Sequence, residues 1–172
     1  MAILYRNFLS SLINSGPLIF LYFLSISEVD THFSDLFEIL SFNIQIIIIY
    51  YWMLKYPNIL GSGHIFFAGI INDVVMGLPL GLSALSYLTV TFVASYIRNV
   101  TVNFSLFTDW FTFIIAIFFS NLVFLILIYN FSELTISYAE IFYNSLFTFL
   151  FYPPIWLIFN TYRKIMLIKN DD

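Results

Sequence analysis

Long apolar runs recur along this chain, and nearly all of its charged residues stand in the short segments between them. Hydrophobic residues fill 61% of the 172 positions and charged residues only 9%, against about 25% charged in a typical soluble domain. A soluble fold of this size cannot hide so much apolar surface, because folded monomers rarely expose large apolar patches. Lipid removes that difficulty, so the sequence predicts an integral membrane protein.

The apolar runs have the length of membrane-spanning helices, which need about 20 mostly apolar residues each. They predict an all-α integral membrane fold, a bundle of six transmembrane helices forming one domain over 1–172. We expect a kink at Pro153-Pro154 in the last helix. Signal-peptide cleavage of the first run is disfavoured, since the rest of the chain is equally apolar. The predicted helices are approximately 8–26, 36–54, 63–76, 80–97, 110–129 and 141–162.

The basic residues predict the orientation of these helices, because Lys and Arg favour the cytoplasmic side of a membrane. If the N-terminus is cytoplasmic, six crossings bring every basic residue to that side and six acidic residues to the other. The charge pattern therefore supports the helix count independently of hydropathy and places both termini in the cytoplasm. The basic residues are Arg6, Lys55, Arg98, Arg163, Lys164 and Lys169. The acidic residues of the outer side are Glu28, Asp30, Asp35, Glu38, Glu133 and Glu140.

The segment from Gly61 to Arg98 is too short for two independent spans with a loop between them. It has 38 residues, whereas two full spans need about 40. Its turn chemistry is confined to the sequence Gly77-Leu78-Pro79-Leu80-Gly81. We therefore predict a tight helical hairpin. Because the third helix is short, the turn of this hairpin is expected to lie below the membrane surface.

An acidic residue lies inside this hairpin. Gly69, Asp73 and Gly77 recur at four-residue spacing and so share one helical face, where glycine allows another helix to approach closely. A carboxylate at the bilayer centre costs about 2.5–3.5 kcal/mol, so Asp73 must face protein or water. In one interpretation it accepts hydrogen bonds from hydroxyls or from free backbone N–H groups at the turn. In the others it is a proton or ion relay, a ligand contact or a partner contact. The fourth helix offers a facing stripe of small or hydroxylic residues, Ala84, Thr91 and Ser95.

The remaining polar residues give weaker signals. His64 precedes Asp73 by nine residues, which is no metal-pair spacing, so interfacial anchoring or capping is favoured. His32 stands in an acidic outer loop, where solvation is favoured over metal binding. Glu38 and Asp109 are placed near helix ends, where a carboxylate reaches water.

Several classes of function find no support in the sequence. The chain has no cysteine, which excludes thiolate nucleophiles and disulfides. It has no phosphate-binding GxxxxGK[ST] motif, and its six scattered basic residues make no nucleic-acid footprint. No Ser/His/Asp set and no pair of intramembrane carboxylates can be assembled. An intramembrane hydrolase is therefore poorly supported, and we expect no metal site and no cofactor.

The hairpin segment, residues 61–85, resembles the signature of the bacterial rod shape-determining protein family MreD. That pattern is a Gly-rich start, then F-x-x-G-L-x-x-D, then x-x-G-x-P-L-G-x-x-A-L. Two positions depart from it: Asn72 replaces a common Leu, and Ser83 stands where many relatives have His. The matching residues are Phe66, Gly69, Asp73, Gly77, Pro79, Leu80, Gly81, Ala84 and Leu85.

The resemblance implies a non-enzymatic, multi-pass protein of the bacterial inner membrane. Such proteins act in the elongasome, which directs peptidoglycan synthesis and cell shape, with MreC and, directly or indirectly, MreB, RodA and the elongation transpeptidase. It implies no nucleic acid and no small-molecule substrate. The structural and partner-binding residues of the hairpin would be Gly69, Asp73, Gly77, Pro79, Leu80 and Gly81.

A second function remains open, because the family also looks like the membrane substrate-binding subunits of energy-coupling-factor vitamin transporters. The alternative is therefore a small-molecule-binding subunit of such a transporter. The predicted outer loops are acidic and lack Lys and Arg. An anionic vitamin would find no counter-charge there, which favours the scaffold.

Overall fold

The computed structural model describes residues 2–27, 43–101, 105–131 and 137–171, with side chains over 15–27, 43–101, 105–131 and 137–166. Within these ranges the chain is all-helical, which confirms the predicted class of secondary structure. The helices are α1 (Ala2–Ser27), α2 (Ile44–Lys55), α3 (Pro57–Leu60), α4 (Ser62–Val75), α5 (Leu82–Val100), α6 (Leu106–Phe131) and α7 (Tyr138–Asp171).

The helices overlap the predicted ones, but α1 and α6 begin earlier, at Ala2 and Leu106, and the short α3 was not predicted. The first part of the predicted helix 36–54, and the acidic loop with His32, lie outside the described residues. The last helix is longer than predicted, since α7 continues to Asp171 and includes the basic tail. It passes through Pro153-Pro154 as one uninterrupted helix.

Two of the described helices are long and apolar enough to cross a membrane, namely α6 and residues 138–166 of α7. Shorter apolar helices cover 15–27, 44–55 and 62–75. Large apolar side chains of both long helices are exposed, among them Phe118 and Phe142. In water this surface would be strongly unfavourable.

The centre of the bundle is α2, in which every residue from Gln45 to Leu54 is buried. A helix that is apolar all round is suited to such a position. The last helix, α7, packs against α2 and follows the same direction. Asn43, just before α2, contacts Thr148 in the first half of α7, and Trp52 near the end of α2 contacts Phe159 further along α7. The helices α2 and α7 therefore run in parallel.

Two other pairs of neighbouring helices, α2 with α4 and α6 with α7, are antiparallel. Gln45 at the start of α2 contacts Asn72 at the end of α4, so these two helices are antiparallel. Trp110 packs on Phe149, while Asn121 bonds to Ser145, so α6 and α7 are antiparallel as well.

These directions bring the described basic side chains to one end of the bundle, called the basic end below. The α2 helix finishes there, α5 finishes there just before α6 begins, and the last third of α7 lies beside them. The described basic residues are Lys55, Arg98, Arg163 and Lys164. Their common location agrees with the one-sided charge pattern seen in the sequence.

The third predicted helix is short in the structure, as expected. With 14 residues, α4 is about 21 Å long, whereas the 26 residues of α6 extend about 39 Å. The hydroxyl of Ser120, in the middle of α6, donates to the carbonyl of Ser86 at 3.3 Å. Ser86 lies just over one turn after the hairpin. The hairpin turn is therefore near the depth of the middle of α6, well short of its far end.

The first helix lies at an unexpected depth. Tyr22 is hydrogen-bonded to His64 at 3.1 Å, although the sequence placed Tyr22 near the outer end of one span and His64 near the cytoplasmic start of another. Across a hydrocarbon layer of about 30 Å, those two placements are too far apart for a side-chain contact. The second half of α1 therefore lies beside the start of α4, near the basic end.

A cysteine-pair experiment tests the depth of α1, because the natural chain contains no cysteine. We expect a short bifunctional maleimide to join Tyr22→Cys to His64→Cys within one molecule, since these side chains touch. The control pair is Tyr22→Cys with Met76→Cys, at the opposite end of α4. Cross-linking of the control pair in preference to the first would contradict the depth described here and favour the placement predicted from sequence.

Candidate functional site

The hairpin between α4 and α5 is built on a close backbone approach. A Cβ atom added to Gly69 would lie only 2.6 Å from the backbone nitrogen of Ala84. Real Cβ atoms do not approach backbone so closely, so only glycine fits at this position. The predicted packing of the Gly69 face against Ala84 is confirmed. Thr91, another member of the predicted stripe, donates to the carbonyl of Tyr87 in its own helix.

The carboxylate of Asp73 begins the second helix of the hairpin. Its Oδ2 accepts from the backbone N–H of Gly81 at 2.7 Å, and its Oδ1 accepts from that of Ser83 at 2.7 Å. The first N–H groups of a helix have no partner within it, and an acidic side chain there also benefits from the helix dipole. The expectation that Asp73 accepts from free N–H groups at the turn is thus confirmed, while its partner-binding role stays a prediction.

The main chain of the same residue ends the first helix. The N–H of Leu78 donates to the carbonyl of Asp73 at 2.9 Å, and that of Gly77 donates to the carbonyl of Val74 at 3.4 Å. This is the Schellman pattern of helix termination, which needs a left-handed residue directly after the helix. Gly77 supplies it with φ of 65°. Asp73 therefore closes α4 and opens α5.

The remaining turn residues complete the connection. Gly81 has φ of 99°, a conformation that residues with a side chain rarely adopt. The carbonyl of Pro79 accepts from the N–H of Leu82 at 3.3 Å. Leu80 is 71% exposed and makes up the tip of the hairpin.

A buried polar network joins this hairpin to the central helix. The amide of Gln45 donates to Asn72 Oδ1 at 3.2 Å, and Asn72 Nδ2 donates to Ser83 Oγ at 3.1 Å. The hydroxyl of Tyr87 donates to Gln45 Oε1. Because buried polar groups are costly without partners, the two departures from the family pattern, Asn72 and Ser83, stabilise each other. Gln45 was not singled out from the sequence, where it is one polar residue among isoleucines.

Substitution at Gly69 tests the close approach. We expect Gly69→Val to lower the free energy of unfolding by about 1–3 kcal/mol or more, because the added atoms overlap the backbone of α5. The measurement is thermal unfolding in detergent. The matched control is Gly63→Val in the same helix, where an added Cβ meets nothing within 4 Å. Equal effects of the two substitutions would show that the approach of α4 to α5 does not limit stability.

A buried ion pair joins three helices at the basic end. Lys55 Nζ lies 2.8 Å from Asp109 Oδ2, and the two side chains are 7% and 0% exposed. Trp156 Nε1 donates to the same carboxylate oxygen at 2.9 Å. The pair therefore connects the end of α2, the start of α6 and the middle of α7.

This burial corrects one expectation from the sequence. Asp109 was expected to reach water at a helix end, but it is fully buried and paired with Lys55. No local pattern indicates the pair, because its members are 54 positions apart in the sequence and only the fold brings them together. Nearby, the hydroxyl of Tyr50 bonds to Thr112 at 2.7 Å.

A double-substitution cycle tests the ion pair. We expect Lys55→Met alone to cost about 3–5 kcal/mol, because it leaves a buried carboxylate without its counter-charge. Adding Asp109→Asn removes that charge and should recover part of the loss. Stability is followed by thermal unfolding, with Lys164→Met as the control at an exposed basic residue of the same end. A double variant no more stable than Lys55→Met would contradict the coupling.

No metal centre can be built from the described residues, since no group of three or more suitable side chains occurs among them. His64 is engaged with Tyr22. His32 and its acidic neighbours lie outside the described ranges.

Comparison of the chain with family models, with curated proteins and with solved structures gave no match.

Proposed function

We propose that this chain is a non-enzymatic membrane scaffold of the rod-shape and cell-wall elongation machinery, which binds an MreC-type partner and helps to control cell shape. The observation that carries this proposal is the structural role of the residues in the MreD-like motif. Gly69 allows the close approach, Asp73 and Gly77 end one helix, and Asp73 with Gly81 begins the next. The motif residues thus determine the geometry of the hairpin.

The engagement of Asp73 favours a scaffold over ion or proton relay chemistry. Each carboxylate oxygen accepts a backbone N–H at 2.7 Å, and the side chain is fully buried. A relay group must exchange protons or ions with a path of water or other polar groups. Bonds of this kind to a carboxylate are among the stronger hydrogen bonds in proteins, and breaking them would release the start of α5.

The hairpin also presents an apolar outer surface. Phe67, Val74, Met76 and Leu80 are between 50% and 71% exposed. In lipid such a surface carries no penalty by itself, and close association of transmembrane helices depends on shape and packing. A hairpin fixed by Gly69 and Asp73 offers a rigid surface against which a helix of a partner can pack.

For the topology, we propose six spans in the bacterial inner membrane with both termini cytoplasmic, in a bundle like that of energy-coupling-factor substrate-binding subunits. The basic end supports the orientation, because the described Lys and Arg side chains gather there. The two long apolar helices, α6 and α7, support the membrane assignment. The contribution of α1 to the six spans is the part of this topology that the cysteine-pair experiment tests, because Tyr22 contacts His64 near the basic end.

Co-purification tests the proposed function. The tagged chain is expressed with the MreC-type protein of the same bacterium and isolated in mild detergent. We expect the two proteins to co-purify, and cells lacking the chain to lose their rod shape. Isolation with the ATPase subunits of a transporter, without the MreC-type protein, would overturn the scaffold and support the small-molecule-binding alternative.

Two matched substitutions separate the partner surface from the fold. Leu80 is 71% exposed at the hairpin tip and Leu157 is 56% exposed on α7, so Ala at either position leaves the core intact. We expect Leu80→Ala to reduce capture of the partner several-fold and Leu157→Ala to leave it unchanged. Bulky residues at Gly77 or Gly81 should weaken the fold itself, since both glycines have positive φ. Equal capture by both leucine variants would exclude the hairpin tip from the interface.

A further inference from the structure

Unpartnered polar atoms in the described part of the chain are concentrated at one place. Six buried side-chain nitrogen or oxygen atoms there have no hydrogen-bond partner within the protein. All of them belong to α2, to the start of α6 or to the last two-thirds of α7. The atoms are Tyr51 Oη, Trp52 Nε1, Asp109 Oδ1, Tyr152 Oη, Asn160 Oδ1 and Arg163 Nε. Such atoms are rare in folded proteins, and a cluster of them indicates a missing partner.

The sequence spacing on α7 explains the cluster. Tyr152, Trp156, Asn160 and Arg163 follow one another at intervals of four, four and three residues, so they share one helical face. This face meets α2 and α6, because Trp156 donates to Asp109. It forms a polar strip in an otherwise apolar helix.

Contacts from α2 complete the arrangement. The ring of Tyr51 lies 6.5 Å from that of Trp156 and 5.3 Å from that of Phe159. Tyr51 is also within electrostatic reach of Asp109 and Arg163. The polar seam, as we name it, comprises Tyr51, Trp52, Lys55, Asp109, Tyr152, Trp156, Asn160 and Arg163.

The seam has a closed inner part and an outer part nearer the surface. Tyr51, Tyr152 and Asp109 are fully buried. Asn160 and Arg163, further along α7 towards the basic end, are partly exposed. The outer part of the seam therefore lies nearest to the surface of the basic end.

The chemistry of the six atoms selects among possible occupants. Trp52 Nε1 and Arg163 Nε donate only, Asp109 Oδ1 and Asn160 Oδ1 accept, and the two tyrosine hydroxyls do either. An anion would meet the free oxygen of Asp109. A cation would meet the charges of Lys55 and Arg163. Water both donates and accepts and carries no charge, so it satisfies the whole set without such a conflict.

We propose that the polar seam is a water-binding site that opens at the basic end and brings water to the inner face of the Lys55–Asp109 pair. Water there bridges Asp109 Oδ1 to the hydroxyls of Tyr51 and Tyr152. The ion pair is then hydrated on one side. The membrane domain thus contains a wet cleft between α2, α6 and α7.

Cysteine accessibility tests this site, and the natural absence of cysteine makes every introduced thiol unique. Single variants Tyr51→Cys and Tyr152→Cys are compared with Met53→Cys in membrane vesicles whose basic end faces the reagent. Met53 is 5% exposed, closer to the end of α2 than Tyr51, and on the opposite face of the helix. Because Met53 lies nearer to the basic end than Tyr51, depth alone would make the control cysteine react faster than the cysteine at position 51.

We expect a small, charged, membrane-impermeant methanethiosulfonate to modify both seam cysteines at least about tenfold faster than Met53→Cys, because only a hydrated thiol ionises to the reactive thiolate. Rates no faster than that of Met53→Cys would overturn the proposal. Rapid modification that is lost when anionic lipid is added would also overturn it, because a lipid headgroup would then occupy the seam.

Hydroxyl-radical footprinting provides a second measurement on the unaltered chain, independent of whether the variants fold. Radicals formed from bound water oxidise the tyrosine rings next to it. Tyr51 and Tyr152 should be oxidised, while Tyr87, equally buried and bonded to Gln45 away from the seam, should not. Protection of all three would overturn the proposal. The seam and the hairpin are separate elements, so a dry seam would leave the proposed scaffold function standing.

Discussion

The geometry of the bundle depends on the two ways in which Asp73 is bonded. Its carbonyl accepts the N–H that closes α4, and its carboxylate accepts the two N–H groups that open α5. One residue therefore fixes where both helices stop and start, and the length of the turn between them. Inside a membrane the free N–H and C=O groups of a turn are costly, because lipid offers them no partner. Asp73 bonds several of these groups directly, so they do not need water as a partner.

A second constraint acts at the other end of the same bundle. The central helix α2 is tied to the hairpin by Gln45 near its start and to α6 by Lys55 at its end. The partner of Lys55, Asp109, also accepts from Trp156 of α7. Between Gln45 and Lys55, α2 buries an unbroken run of apolar and aromatic side chains. Apolar packing alone specifies helix register weakly within lipid, so two polar contacts about 15 Å apart along one helix fix α2 against sliding and rotation.

Structural features that depend on residues close together in the sequence could be predicted from it. The hairpin could be predicted because Gly69, Asp73, Gly77 and Gly81 recur at spacings that follow from helix and turn geometry. The ion pair of Lys55 with Asp109 could not, because each residue looks like an ordinary charge at a helix end until the fold brings them together. Gln45 likewise had no local signal. The depth of α1 was misplaced because hydropathy measures the length of an apolar run and says nothing of its position relative to other helices.

The short reach of α4 has a consequence for the surrounding lipid. If the bundle spans a membrane as proposed, it presents a step to the bilayer, because the 26 residues of α6 extend about 39 Å and the 14 residues of α4 about 21 Å. A bilayer of uniform thickness cannot match both heights. On the flank of the hairpin such a membrane would thin, or another protein segment would fill the step. A local dimple of this kind would attract other proteins with short apolar belts, so in the proposed scaffold the shape of the lipid would itself help to gather partners around the hairpin.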